Sequence, residues 1–471
     1  MKDKFVLPVS HKKVVFFTLG ILLAVLSFLC RPFSGLGVQG MHVLGLFGMA
    51  VCWWIGGVFA DYITALWLMI LMAITGTCSA SLVFCAFSGS IVWIVIPVLA
   101  IGVALGKSGL LLRCVLAILC RFKGGYLSQT FAVLLAGNLI NPLIPSQTAK
   151  VAISAPIVRM YCEMMGYEKN SREAAGVFSA MWMGFGASGP FFITGTAMCY
   201  VMIGVLPEEY QNGYSFLRWL LLAFPWGLVL FAVSFLMICL LYAPKEKVSG
   251  KMEFLYQRKA ELEKMSRDEW ICALTLGGCI LMWITENVHG IPAFLVALAG
   301  MAVMLSAGVI NRKDFCAGIP WDTIVFIGCC SGLGTVFSKV GITDWVGTSF
   351  GPFLQPLFSK VWLLIPVSVV LLVLLRYVFV SITATITLYT IVSAPFALAA
   401  GINPFIPGFI VLVVSNVVCA SYNNSIFMTA VAASGDLVSY KDVKAITAGY
   451  ALACIAGLLM CIPVWRVVGM F

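Results

Sequence analysis

Ser146-Gln-Thr-Ala-Lys150 puts two hydroxyls, an amide and a lysine within five residues. They follow directly on Asn138-Leu-Ile-Asn-Pro-Leu-Ile-Pro145, where two asparagines and two prolines break a long apolar run. Proline ends a helix because it lacks an N–H and clashes with the preceding turn. Helix N-termini with freed N–H groups suit carboxylates, while unwound carbonyls and hydroxyls suit a small cation, so such a site could bind both an anion and sodium. Ser146, Gln147, Thr148 and Lys150 are therefore candidate binding residues.

The chain repeats the pattern. Ser381-Ile-Thr-Ala-Thr385 has the same spacing, and each group is followed by Ser-Ala-Pro, at 154 and at 393. Two further apolar runs are interrupted, at Gly184 to Thr196 and at Cys419 to Ser425. Polar residues in interrupted segments at corresponding positions of two halves are a sequence pointer to a transport site. That adds Thr194, Gly195, Thr196, Asn423 and Asn424, although such residues also serve as interhelical hydrogen bonds.

Irregular backbone of this kind needs elements that keep it away from lipid. Of 471 residues, 62% are hydrophobic and 10% charged, with a mean hydropathy of +1.05, which excludes an ordinary soluble domain. A helix needs roughly 20 apolar residues to cross the hydrocarbon. The pattern predicts an all-α polytopic membrane protein of about 11 transmembrane helices plus two re-entrant hairpins. After a first helix at 14–30, segments follow at 43–59, 62–77, 91–106, 126–163, 174–205 and 217–242. The second half gives 271–287, 292–309, 321–338, 360–400, 408–433 and 445–463, an offset of about 230 residues.

The domains expected are a tail and first helix over 1–40, repeat 1 over 41–243, a linker over 244–270 and repeat 2 over 271–471. Repeat 1 holds an inner hairpin at 126–163 and a broken helix at 174–205; repeat 2 holds an outer hairpin at 360–400 and a broken helix at 408–433. An odd number of crossings per unit inverts the second relative to the first. Basic residues gather in one set of connections, at Lys107, Arg113, Arg121, Lys123, Arg159, Lys169, Arg172, the linker, Arg312, Lys313, Lys441 and Lys444. That bias predicts a multi-pass protein of the cell (inner) membrane with a cytoplasmic N-terminus and an external C-terminus. The run after Lys13 lacks a small-residue cleavage site and reads as an uncleaved helix. The linker spaces Met252, Leu255, Tyr256 and Leu262 as a surface helix would.

Several function classes are disfavoured. The net charge of +10 sits in short connections and orients helices, so no nucleic-acid partner is expected. The 17 cysteines are scattered singly apart from Cys329 and Cys330, and read as small packing residues. His11, His42 and His289 show no metal-ligand spacing. Without a phosphate loop or nucleophile elbow, no enzyme, no cofactor and no certain metal site is expected. Asp61 and Asp322 stand at segment ends and read as anchors rather than a proton relay.

The two Ser-x-Thr hairpins, the two broken segments and their order resemble the divalent-anion/sodium symporter family over nearly the whole length. The resemblance implies a secondary transporter working by an elevator motion, a homodimer, and substrate residues at Ser146, Gln147, Thr148, Ser381 and Thr383. Family members carry Ser-Asn-Thr in both hairpins, bordering two sodium sites, so sodium as a coupling ion would fall near Asn141, Ser146, Gly195 and Ala384. This chain departs from that pattern at Gln147 and Ile382. It is nearer the dicarboxylate exchanger branch (citrate/succinate, 2-oxoglutarate/malate antiporters), whose first hairpin often ends in Ala-Arg; Lys150 matches that charge, whereas Thr385 does not match the histidine of the second.

Lys150 can therefore replace a sodium ion, or snorkel toward the inner face. Arg376 has the same two readings at the second hairpin. The function expected is exchange of di- or tricarboxylates of the succinate, malate, fumarate, 2-oxoglutarate, citrate or tartrate type. The alternatives are a sodium-coupled dicarboxylate or sulfate symporter and, from another class, a non-transporting membrane subunit or ion channel.

Overall fold

The computed structural model describes residues 11–122, 124–244, 259–420 and 422–471. Among them every regular element is helical, as a membrane-embedded chain requires when its backbone must satisfy itself. Eight helices are long and apolar enough to span: His11–Leu29, Val38–Gly56, Ser90–Ser108, Phe216–Tyr242, Trp321–Lys339, Val361–Val378, Ile382–Ala399 and Tyr440–Val467. Asp61–Ile74 and Ala293–Ser306 are shorter apolar helices. The expected surface helix of the linker falls largely outside the described residues, as do the tail 1–10 and Lys123.

Two helices occupy stretches that read as connections, Leu110–Leu119 and Ile342–Phe358. The first is too short to cross and carries Arg113; the second contains Pro352 and Pro356, residues that argue against a helix interior. Arg113 pairs with Glu269 at 2.7 Å and Lys107 with Asp314 at 2.6 Å, tying these connections across the two halves of the chain.

The candidate hairpins each form a helix, a tight turn and a second helix. The first runs Tyr126–Ile140, a 3-10 turn at Asn141–Leu143, then Gln147–Met164. The second runs Val361–Leu375 and Ile382–Ala399. Two spans are interrupted: Arg172–Met181 resumes at Ala197–Gly204 after a π-turn and two 3-10 turns, and Phe405–Val414 resumes at Ser425–Ala433. Tyr450 on the last long helix donates to Val413 O at 2.8 Å, with Ala187 O at 3.4 Å, and Trp219 donates to Pro190 O at 3.0 Å. Carbonyls freed at both breaks thus find side-chain donors.

Packing fixes these irregular segments closely. A Cβ on Gly137 of the first hairpin would lie 2.3 Å from the Gly184 carbonyl carbon, so hairpin and break meet backbone to backbone. Around the second broken span, Trp219 packs edge-on against Phe405 and Phe409, with Trp226 and Trp465 also against Phe409. All three tryptophans are fully buried. Close-packed aromatics of this kind hold one arrangement rather than a range.

Candidate functional site

The first cluster grows from the hairpin turn. Pro142 and Pro145 stop the upstream helix, and Ser146 caps the downstream one by accepting from Ala149 N at 3.2 Å. This N-cap satisfies one of the first-turn N–H groups, and Lys150 N donates to Ser146 O at 3.0 Å. One turn along, Lys150 is completely buried. Its ammonium donates to Asn141 Oδ1 and to Gly195 O at 2.8 Å. A snorkelling lysine would reach water instead, so that reading is excluded. Asn141 is itself held by Gly184 O at 3.1 Å and Ser188 Oγ at 2.7 Å.

Gln147 is the hub of this cluster. Its Nε2 donates to Gly186 O at 2.5 Å and to Asn416 Oδ1 at 3.1 Å, while its Oε1 accepts from Thr196 Oγ1 at 3.0 Å. Three elements, the first hairpin and both broken spans, meet at one amide. Thr194 Oγ1 donates to Pro142 O at 2.9 Å, closing the turn from the other side. Thr148 is exposed. A cavity of about 920 Å³ reaches Thr194 and extends past Tyr200 and Gln211 to Arg218, Trp283 and Glu286.

The second cluster is built differently. Arg376 follows the upstream helix of the second hairpin and is completely buried. Its guanidinium donates to Phe379 O and Val380 O at 2.8 Å each and to Asn423 O of the second broken span. Snorkelling is excluded here too. Arg376 Nε and Asn423 Nδ2 remain buried without a partner, which is costly unless something else fills the role. Ser381 caps the downstream helix by accepting from Ala384 N at 3.1 Å, and its hydroxyl donates to Asp61 Oδ2 at 2.5 Å. Thr385 turns back onto Ser381 O at 2.6 Å. Thr383 meets Met198 Sδ at 3.7 Å, linking the second hairpin to the first broken span.

Asn424 is a helix cap, accepting from Ile426 N and Phe427 N at 3.1 and 3.0 Å, and is less free for a ligand than Asn423. The oxygens that suit a small cation at the first hairpin, Asn141 Oδ1 and Gly195 O, are taken by the Lys150 ammonium. At the second, three carbonyl oxygens are taken by Arg376. Both oxygen sets are thus engaged by side-chain cations of the protein itself. Sequence reasoning missed Asn416, Ser188, Tyr450 and the contact to Asp61. Ser415-Asn416, a polar pair inside an apolar run, carries a signal; Tyr450 in a continuous helix carries none.

A profile described as sodium:sulfate symporter transmembrane region matches residues 11–471. The chain is 24% identical over 412 residues to dicarboxylate transporter 2.1, chloroplastic, of Arabidopsis thaliana, covering 84% of this chain and 71% of that one. It is 26% identical over 332 residues to the L-tartrate/succinate antiporter of Escherichia coli (strain K12), covering 68% and 66%; the match spans about two thirds of that relative's length. In fold it is similar to the YdaH transporter of Alcanivorax borkumensis, with a TM-score of 0.56, 15% identity and 98% and 99% coverage. It also resembles MtrF of Neisseria gonorrhoeae, with a TM-score of 0.55, 15% identity and 97% and 95% coverage.

Proposed function

We propose that this chain, which belongs to the sodium:sulfate symporter family, is an anion exchanger of di- or tricarboxylates that carries its own positive charges in place of coupling sodium. One observation carries the reading: the Lys150 ammonium sits wholly buried between Asn141 Oδ1 and Gly195 O, where an oxygen cage would otherwise hold a cation. An unpaired charge in a membrane interior costs several kcal/mol. Among the described residues no carboxylate is bonded to Lys150 or Arg376, so a bound anion would neutralise charge held in a low dielectric. Relatives named for dicarboxylate transport and for tartrate/succinate antiport support the substrate class.

In this reading Ser146, Gln147 and Thr148 at one tip and Ser381 and Thr383 at the other hold the carboxylates, with Thr194, Gly195, Thr196 and Asn423 supplied by the breaks. The protein is a carrier and not an enzyme. It sits in the inner membrane with its N-terminus cytoplasmic, and its two sequence halves form inverted repeats. It works as a homodimer in which the hairpins and broken spans move against the remaining helices. The cavity at Thr194 then opens toward the outer face. A sodium-coupled symporter is the second reading, favoured by the family's description.

Purified protein in liposomes tests this. Labelled succinate uptake should require an unlabelled dicarboxylate inside and be indifferent to replacing sodium by choline, with a competition panel naming the preferred anion. Strictly sodium-driven uptake with no need for internal anion would overturn exchange. Conductance far above carrier turnover would overturn the carrier itself.

A further inference from the structure

Asp61 begins the helix Asp61–Ile74, which packs against Val38–Gly56 and Trp321–Cys330. Its backbone is anchored there, since Trp54 Nε1 donates to Asp61 O at 3.2 Å. Its side chain does something else: Asp61 Oδ2 accepts the hydroxyl of Ser381 at 2.5 Å, across 320 residues of sequence. Asp322, in the first turn of the neighbouring helix, accepts from the adjacent Thr323 N at 2.8 Å. Asp61 alone of this pair spends its carboxylate on a hairpin tip.

A serine hydroxyl has one proton to donate. In Ser381 that proton goes to Asp61, while the oxygen accepts from Ala384 N. A substrate carboxylate arriving at the second tip needs the same proton. Asp61 and substrate are therefore competing acceptors for one donor, and they differ in one respect. Asp61 is fixed to the helices Val38–Gly56 and Trp321–Cys330, whereas a substrate carboxylate can travel with the hairpin.

From this juxtaposition we propose that Asp61 is an internal carboxylate that holds the unloaded second hairpin to the helix Asp61–Ile74 and is displaced from Ser381 by the substrate. The contact is a latch on the empty carrier. It rests on the exchange reading above and supplies a physical reason for it: with no anion at the tip, a charge-assisted hydrogen bond opposes movement of the hairpin, so return without cargo is slow. Once a substrate carboxylate takes the Ser381 proton, the tip is released.

The test uses liposomes preloaded with labelled succinate. On dilution into buffer without dicarboxylate, wild-type efflux should be slow and should accelerate when succinate is added outside. In Asp61→Ala, efflux without external anion should rise about tenfold, the effect of one charge-assisted hydrogen bond, while exchange persists. Asp61→Asn, which keeps an acceptor oxygen but no charge, should leak to an intermediate degree; it also decides the matter if the alanine variant does not fold. Unpaired efflux as slow as wild type in an exchange-competent Asp61 variant would overturn the latch and leave the exchange reading standing. Wild-type efflux that ignores external dicarboxylate would overturn the exchange reading and the latch with it.

Discussion

The two hairpins put a cationic side chain in equivalent surroundings by different routes. In the first, Lys150 lies on the downstream arm and reaches outward, to Asn141 of the turn and Gly195 of the neighbouring break. In the second, Arg376 lies on the upstream side and folds back over the turn itself, onto Phe379 O and Val380 O, before touching Asn423 O. Two prolines shape the first turn; the second has none, and the arginine fork takes over the job of gathering its carbonyls. The Ser-x-Thr caps repeat between the hairpins while the charges do not. Equivalence lies in the oxygens each cation occupies, which come from a hairpin and a break in both cases.

The difference can be broken from either side. Arg376→Ala should be the more damaging change, because three carbonyls lose their donor together and the turn loses its closure. A loss of about 3–5 kcal/mol of stability is expected, read as a large fall in melting temperature in detergent together with lost transport. A variant as stable as wild type would show that Arg376 does not shape the turn. Lys150→Ala removes charge but leaves the proline-shaped turn intact, so the protein should stay folded while exchange falls tenfold or more. If the ammonium stands in for sodium, adding sodium should restore part of that loss in Lys150→Ala and do nothing to wild type. Sodium-independent behaviour in both would separate Lys150 from any coupling role.

The smallest effect belongs to the surface pair. Lys107 donates to Asp314, and this bond, helped by Asn311 N–H, holds the Asp314 carboxyl below the usual carboxylate range. A value lowered on folding adds stability above the unfolded pKa of about 3.9 and loses it as the pH falls through the folded one. Asp314→Asn should therefore cost at most about 0.5 kcal/mol near neutrality, as exposed pairs do. Its melting curve should converge with that of wild type in acid. A cost that persists at low pH would point to a role other than pairing with Lys107.

How far the sequence was legible depends on the range of the interaction. The hairpin turns at 141–146 and 376–381 and the break at 184–196 were readable, because proline, glycine and capping serine act within a few residues of themselves. Helices such as Leu110–Leu119 and Ile342–Phe358 were not, since a ten-residue run with an arginine and a helix holding two prolines contradict local rules that membrane packing overrides. The break in the second half extends back to Ser415, further than Cys419, because Asn416 is held by Gln147 from 269 residues away.

By itself, the sequence determined that this is a helical membrane protein with paired Ser-x-Thr caps and two intramembrane cations, since apolar length, capping chemistry and charge are properties of the residues. Tertiary structure alone decided what those cations face. Whether Lys150 and Arg376 snorkel or turn inward depends on oxygens offered by segments distant in the chain, and the same is true of Ser381, whose one proton goes to a carboxylate that no local pattern connects with it. Hydrogen bonds in a low-dielectric interior are made to whatever packing brings within reach, and packing is a property of the whole chain.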